Sequence, residues 1–239
     1  MKVVSCLKGG AGMVALLTTT PALAAQTHGL GLSSDVMRTA FILTLLAVIP
    51  SILICMTSFV RIIVVLSMVR HAFGMPETPP NPVLVSLALF LTAFVMSPTL
   101  GTLNTTAIQP LLADKISVQE AMTKGALPLR TFMLAQTRDA DIEAIYAISH
   151  SKPPERPDQV EILKLAPAFM LNELRVSFTI GFVILLPFLL IDLVVSAILL
   201  SLGMMMVPPS TISLPIKLLM FVLIDGWRLI LQGVLGSFH

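Results

Sequence analysis

Two stretches of this chain carry almost no charge, and that absence constrains its fold more than any motif. From Val83 to Ala113 there is no Asp, Glu, Lys or Arg, and from Val176 to Ile224 there are two, Asp192 and Lys217. About 20 consecutive apolar residues cross the hydrocarbon core of a bilayer as a helix, so runs of this kind read as membrane segments. The whole chain of 239 residues is 56% hydrophobic and only 12% charged, against about 25% charged in an ordinary soluble domain. Its formal net charge of +2 comes with no basic cluster, which argues against nucleic acid as a partner.

The N-terminus has the layout of a cleavable signal. Lys2 and Lys8 precede a short apolar core from Ala11 to Leu17, and Ala22-Leu23-Ala24 supplies a small-x-small cleavage site. Residues 1–24 are therefore expected to be removed; the competing account is a weak first anchor, for which the apolar run is short. Cleavage removes Cys6 and leaves Cys55, so no intramolecular disulfide and no cysteine metal site is expected.

Residues 25–103 hold a polar start and a first helical hairpin. One apolar run covers Thr39 to Val69, interrupted by Pro50 and carrying Arg61; a second covers Val83 to about Leu103, with Pro98 near its end. Between them Pro76, Pro79, Pro80 and Pro82 hold the linker extended. Residues 104–165 differ in kind, with seven Lys or Arg and eight Asp or Glu. Ser117-Val118-Gln119-Glu120 is a capping-box pattern that starts a helix. Pro128 suits the first turn of another, and Ile142, Ile145, Tyr146 and Ser149 mark one helical face. Asp158 to Glu161 can cap the next helix. Residues 166–239 hold a second hairpin, with apolar runs at about Val176 to Leu202 and Thr211 to Leu235. The predicted fold is thus an all-α membrane protein, two long proline-kinked helical hairpins with a small helical segment between them. A cleaved signal and four crossings place 104–165 outside the cytoplasm, making it periplasmic.

Charges inside apolar runs mark functional sites by default, because each costs several kcal/mol unless paired. In an antiparallel hairpin, opposed residues have numbers symmetric about the turn. Asp192 and Lys217 are symmetric about a point within Met204-Met205-Met206, so they are expected level with each other on facing helices, as an ion pair. Arg61 has no partner in its own segment. It either snorkels or pairs with a carboxylate elsewhere, and Glu173 and Asp225 are both candidates.

No catalytic, cofactor or metal motif stands out. Ser149-His150-Ser151-Lys152 matches S-x-x-K but lacks the companion motifs of enzymes that use it. His28, His71, His150 and His239 are scattered without ligand spacing. The Met triplet sits between Gly203, a natural helix C-cap, and Pro208-Pro209. Three flexible, polarizable side chains on a forced turn suit a deformable seal.

Several motifs together resemble the FliP family of type III export-gate proteins, called SctR in injectisomes. They are MTSFVRIIVVLS at 56–67, TPPNPVL at 78–84, ALFLT at 88–92, FMLNEL at 169–174, IDLVVS at 191–196, LGMMMVPP at 202–209, ISLPIK at 212–217 and DGW at 225–227. The resemblance spans about 39–235. It implies a homo-oligomeric ring of five subunits that joins FliQ and FliR in a pore-bearing helical complex in the bacterial inner membrane, within the flagellar basal body. The helices of that complex are strongly tilted and much of it is lifted out of the lipid. It also implies that FlhA, FlhB and a cytoplasmic ATPase act with the pore, and that unfolded flagellar proteins pass through it. On this resemblance Met204, Met205 and Met206 form a pore gasket, Asp192 and Lys217 are charges of the pore-forming hairpin, and Phe169 and Glu173 lie in a segment of subunit contacts. The signal favours the flagellar form over an injectisome (virulence) subunit. Two other classes remain open: a transporter or channel acting alone, and a structural scaffold for basal-body assembly that lines no pore.

Overall fold

The computed structural model describes residues 54–238 apart from 76, 153 and 155, with a few positions between 39 and 50. The expected signal and most of the first half of the Thr39–Val69 run lie outside the described residues. Nearly all of the described residues belong to one compact unit, Ile49–His239.

Every element among the described residues is helical. Helix α1 is Phe59–Ala72. After the proline linker come α2, Asn81–Val95, and α3, Ser97–Leu103. A π-helical turn, Asn104–Ile108, leads into the short α4, Gln109–Leu112. Then come α5, Val118–Gln136, and α6, Asp139–Ile148. A 3₁₀ turn, Pro157–Gln159, precedes α7, Ile162–Ser201. The chain closes with α8, Pro209–Leu223, and α9, Gly226–Leu235.

Local chemistry explains most of the boundaries. The Ser117 hydroxyl accepts the Glu120 N–H at 3.2 Å and starts α5, satisfying one of the amides a helix N-terminus leaves over. Lys124 reaches back to Glu120 at 2.9 Å along the same face. Pro98 cannot donate to the turn before it, so α2 stops at Val95 and a new axis begins with Pro98 in its first turn. The chain bends by 64° at that break, between Asn81–Val95 and Ser97–Leu112. A second bend of 68° separates α8 from α9, where Asp225 takes the left-handed conformation at φ 52°.

Pro128 does not begin a helix. It lies inside the 19-residue α5, because Ala121, Gly125 and Met133 form one buried face that runs past it and holds the helix together on both sides. The boundary expected at 165 falls inside α7. That helix begins at Ile162 because Leu165, Ala168 and Phe169, at i, i+3 and i+4, are buried well before the uncharged run starts.

With 40 residues, α7 is about 60 Å long, roughly twice the hydrocarbon thickness. It is the spine of two cores. Its first part packs with α5 and α6 around Met56, Met133, Ile142, Tyr146, Leu165 and Phe169. Its later part packs with α1, α2, α8 and α9 around Ile62, Leu66, Leu84, Phe188, Phe221 and Ile230. In the second core the rings of Phe73, Phe188 and Phe221 meet edge to face, with centroids 4.8 Å apart for Phe73–Phe221 and 5.3 Å for Phe73–Phe188.

Among the described residues, one helix, α7, is by itself long and apolar enough to cross a membrane; counting each bent pair as one span gives up to three.

Candidate functional site

Three features stand out along α7: the turn at its end and two charge joints on its flank. The turn is set by backbone geometry. Gly203 takes φ 73°, a left-handed conformation that glycine adopts without a Cβ penalty. Met204 N–H then donates to Leu199 C=O and Gly203 N–H to Leu200 C=O, both at 3.0 Å. This is the double capping pattern that ends a helix in a reversed direction. Pro208 and Pro209 open α8, where a missing N–H costs nothing. The Met side chains are left without cover from their own chain: Met205 is 81% and Met206 96% exposed, with Met204 at 44%. Met56, Met96 and Met133 are buried, while Met122 on α5 is also exposed.

The proximal joint lies nearest this turn. Lys217 Nζ on α8 donates to Asp192 Oδ2 on α7 at 2.6 Å and to the carbonyl of Ala72, the last residue of α1, at 3.2 Å. One ammonium thus binds a carboxylate and a helix C-terminal carbonyl, both of which favour positive charge. Lys217 is buried, whereas the Asp192 side chain is 40% exposed, so the pair is buried on one side only. The buried Ser213 hydroxyl, one turn before Lys217, lies beside the Asp192 carboxylate.

The distal joint lies nineteen residues earlier on α7, about 28 Å away along the helix. Arg61, buried on α1, pairs with Glu173, buried on α7. Arg61 Nε donates to Glu173 Oε2 at 2.8 Å and Nη2 donates to Glu173 Oε1, the fork-to-fork geometry in which guanidinium and carboxylate bind most strongly. Nη2 also reaches Gln136 Oε1 at 3.1 Å, and Nη1 reaches Ser237. The Ser177 hydroxyl donates to the Glu173 carbonyl at 2.6 Å, with the Arg61 carbonyl 3.3 Å away. Of the two carboxylates the sequence offered for Arg61, the structure brings in Glu173; Asp225 sits at the α8–α9 bend.

Phe169 and Glu173 both turn inward. Both are fully buried inside the single chain. Glu173 is bound to Arg61, and the Phe169 ring packs edge-on against Phe132 at 5.9 Å. Two further ties on the same stretch of α7 carried no sequence signal. Arg175 holds Asp141 on α6 with two bonds at 2.6 and 2.7 Å. Asn172 Nδ2 donates to the Gln136 carbonyl at the end of α5. All of these pairings link segments distant in sequence, and spacing along the chain does not reveal them.

Among the described residues no group of three His, Cys, Asp or Glu side chains is placed to hold a metal ion. Ser149 closes α6, its hydroxyl donating to the Tyr146 carbonyl at 3.0 Å. Meanwhile the most apolar window of α7 is only 17% buried. A patch that large needs cover from lipid or from other chains.

A helical membrane protein whose interior charges are consumed in pairing, and whose broad apolar face and Met turn are left open, is a subunit built to be surrounded. A model of the FliP family matches residues 42–234. The chain is 49% identical to the flagellar biosynthetic protein FliP of Pectobacterium carotovorum subsp. carotovorum over 203 residues, 85% of this chain and 79% of that protein. It is 46% identical to the flagellar biosynthetic protein FliP of Bacillus subtilis (strain 168) over 205 residues, 86% of this chain and 93% of that protein. A longer relative of the same name, from Buchnera aphidicola subsp. Baizongia pistaciae (strain Bp), is 46% identical over 85% of this chain and 56% of its own length. The chain belongs to the FliP family. It is a flagellar export-apparatus subunit, part of a membrane complex with other export components, and not an enzyme.

Proposed function

We propose that this chain is a pore-forming core subunit of the flagellar export gate, and that Met204, Met205 and Met206 form its seal. The observation that carries the reading is the near-complete exposure of Met205 and Met206 on a turn whose backbone is firmly held. Rigid backbone beneath soft, uncovered apolar side chains suits a ring of symmetry-related copies meeting on an axis. Thioether chains exclude water and ions there, yet re-pack around a passing polypeptide without offering it a specific hydrogen bond. Copies of this chain assemble as a homo-oligomer with FliQ and FliR, alongside FlhA and FlhB. Unfolded flagellar proteins are the cargo, and energy comes from the other components, since no nucleotide motif is present.

Helix lengths support a setting partly outside lipid. α2 and α8 have 15 residues each and α9 has 10, so each falls well short of the roughly 30 Å hydrocarbon core. α7 exceeds it twofold. Tilted helices stacked in a protein ring accommodate both. Residues 104–165, from the π-helical turn through α6 to the start of α7, are the periplasmic portion on this reading.

The test replaces Met204, Met205 and Met206 together by alanine, in cells where the variant still accumulates and assembles. Ion leak, slowed growth and altered export support the seal. An assembled variant that is ion-tight and fully motile removes the seal and favours a scaffold that lines no pore.

A further inference from the structure

Arg61 offers five N–H groups, and the structure uses all five. Three go to Glu173 and Gln136; the other two, on Nη1, go to the carbonyl and hydroxyl of Ser237 at 2.8 and 2.9 Å. Ser237 is held as an acceptor, because its own hydroxyl proton is committed to the Val234 carbonyl at 2.6 Å. The Phe238 ring then covers the guanidinium, its centroid 3.9 Å from Cζ. A planar cation over a ring face is attracted by the ring quadrupole, most strongly where water is excluded.

These two residues reach Arg61 only because α9 lies along α1 and α7, with Ile230 and Val234 in the shared core. Counting outward from the Met turn explains their arrival. Asp192 and Lys217 are symmetric about a point inside the turn, and Glu173 and Ser237 are symmetric about nearly the same point. The register between α7 and the chain beyond the turn therefore survives the 68° bend at Asp225.

We propose that Ser237 and Phe238 are the positioning residues of the distal joint: they seat the Arg61 guanidinium against Glu173, and the joint closes only when α9 has docked. Without them Nη1 loses both acceptors and faces the apolar cluster of α1. The free-energy cost of an unsatisfied buried donor then opens the joint to water. This inference stands independently of the pore reading, since it concerns how one subunit holds its own helices.

The experiment is amide hydrogen exchange on the full chain, purified in detergent with its complex, for the wild type and for Phe238→Ala, Phe238→Leu and Phe238→Tyr. Phe238→Ala is expected to speed exchange at 58–64 by about three- to thirtyfold and to leave 209–222 unchanged. Phe238→Tyr, which keeps the ring face, should protect 58–64 as the wild type does, and Phe238→Leu, which keeps only apolar bulk, should not. Wild-type protection in Phe238→Leu would reduce Phe238 to an apolar plug and overturn the proposal. So would unchanged exchange in Phe238→Ala, or a rise spread equally over 58–64 and 209–222. If Phe238→Ala does not accumulate, the comparison of Phe238→Leu with Phe238→Tyr decides alone.

Discussion

Arg61 and Glu173 are fully buried and bound to each other through both arms of the guanidinium. Removing one member of such a pair leaves an uncompensated charge and costs about 3–5 kcal/mol, whereas replacing both by apolar side chains of similar size is often nearly neutral. Arg61→Met and Glu173→Leu should each sharply lower accumulation of the chain, and the double variant should recover much of it, as measured by immunoblot of membrane fractions. A double variant as poor as the worse single one would mean that the charges do more than pair. The proximal pair is lopsided, and its variants should be lopsided too. Lys217 is buried while Asp192 is 40% exposed on its side chain. Asp192→Ala strands a buried ammonium on one carbonyl; Lys217→Met leaves a carboxylate that water can reach. Thermal unfolding in detergent should therefore show the larger loss for Asp192→Ala, and equal losses would contradict the burial asymmetry.

At the scale of elements, the bend between α8 and α9 leaves no room for a side chain at Gly226. A Cβ at Gly226 would overlap the Phe221 ring, and that ring is wedged between Phe73, Phe188 and Trp227. The ring would have to turn toward the apolar cavity it lines with Phe188, Ile224 and Ile230, so Gly226→Ala should cost about 1–3 kcal/mol by overpacking. Gly181→Ala meets only the flexible Met68 side chain and should cost less; the two melting curves compared side by side check the order. How legible the elements were depends on whether their cause is local. Ser117 and Glu120 announce the start of α5 because a cap is a contact between residues three apart. Gly203 and the two prolines announce the Met turn for the same reason. The facing of Asp192 and Lys217 comes from counting outward from that turn. The start of α7 was legible from Asp158 to Glu161, since the helix begins at Ile162; its unbroken run into the apolar stretch was hidden, because Asn172, Glu173 and Arg175 are held by partners on α5, α1 and α6. Pro128 misled because a proline inside a helix is tolerated when packing on both sides holds it. Of the three residues that bind Arg61, Glu173 was one of the two carboxylates the sequence offered, whereas Gln136 and Ser237 were hidden because they come from distant parts of the chain.

In the whole molecule, α7 carries one joint near each of its two cores and the Met turn at its end. The joints differ in what hangs from them. The distal joint ties α1 to α7, to the end of α5 through Gln136, and to the residues after α9, so it organises the two cores relative to each other within the subunit. The proximal joint ties α7, α8 and the end of α1, and it lies twelve residues from the first Met of the turn. Sites this far apart, about 28 Å along α7, without shared partners are expected to act independently. Glu173→Gln, which keeps the shape of the side chain but removes its charge, should lower accumulation of the assembled complex, with no ion leak per complex that does form. Asp192→Asn leaves the packing of the distal half intact, so the complex should accumulate normally. It loosens the base of the turn, however, and on the pore reading the complex should leak. The measurement pairs membrane conductance with the amount of assembled complex for each variant. A leak from Glu173→Gln at normal complex levels, or a tight Asp192→Asn complex that simply fails to accumulate, would show that the two joints do not divide assembly from sealing.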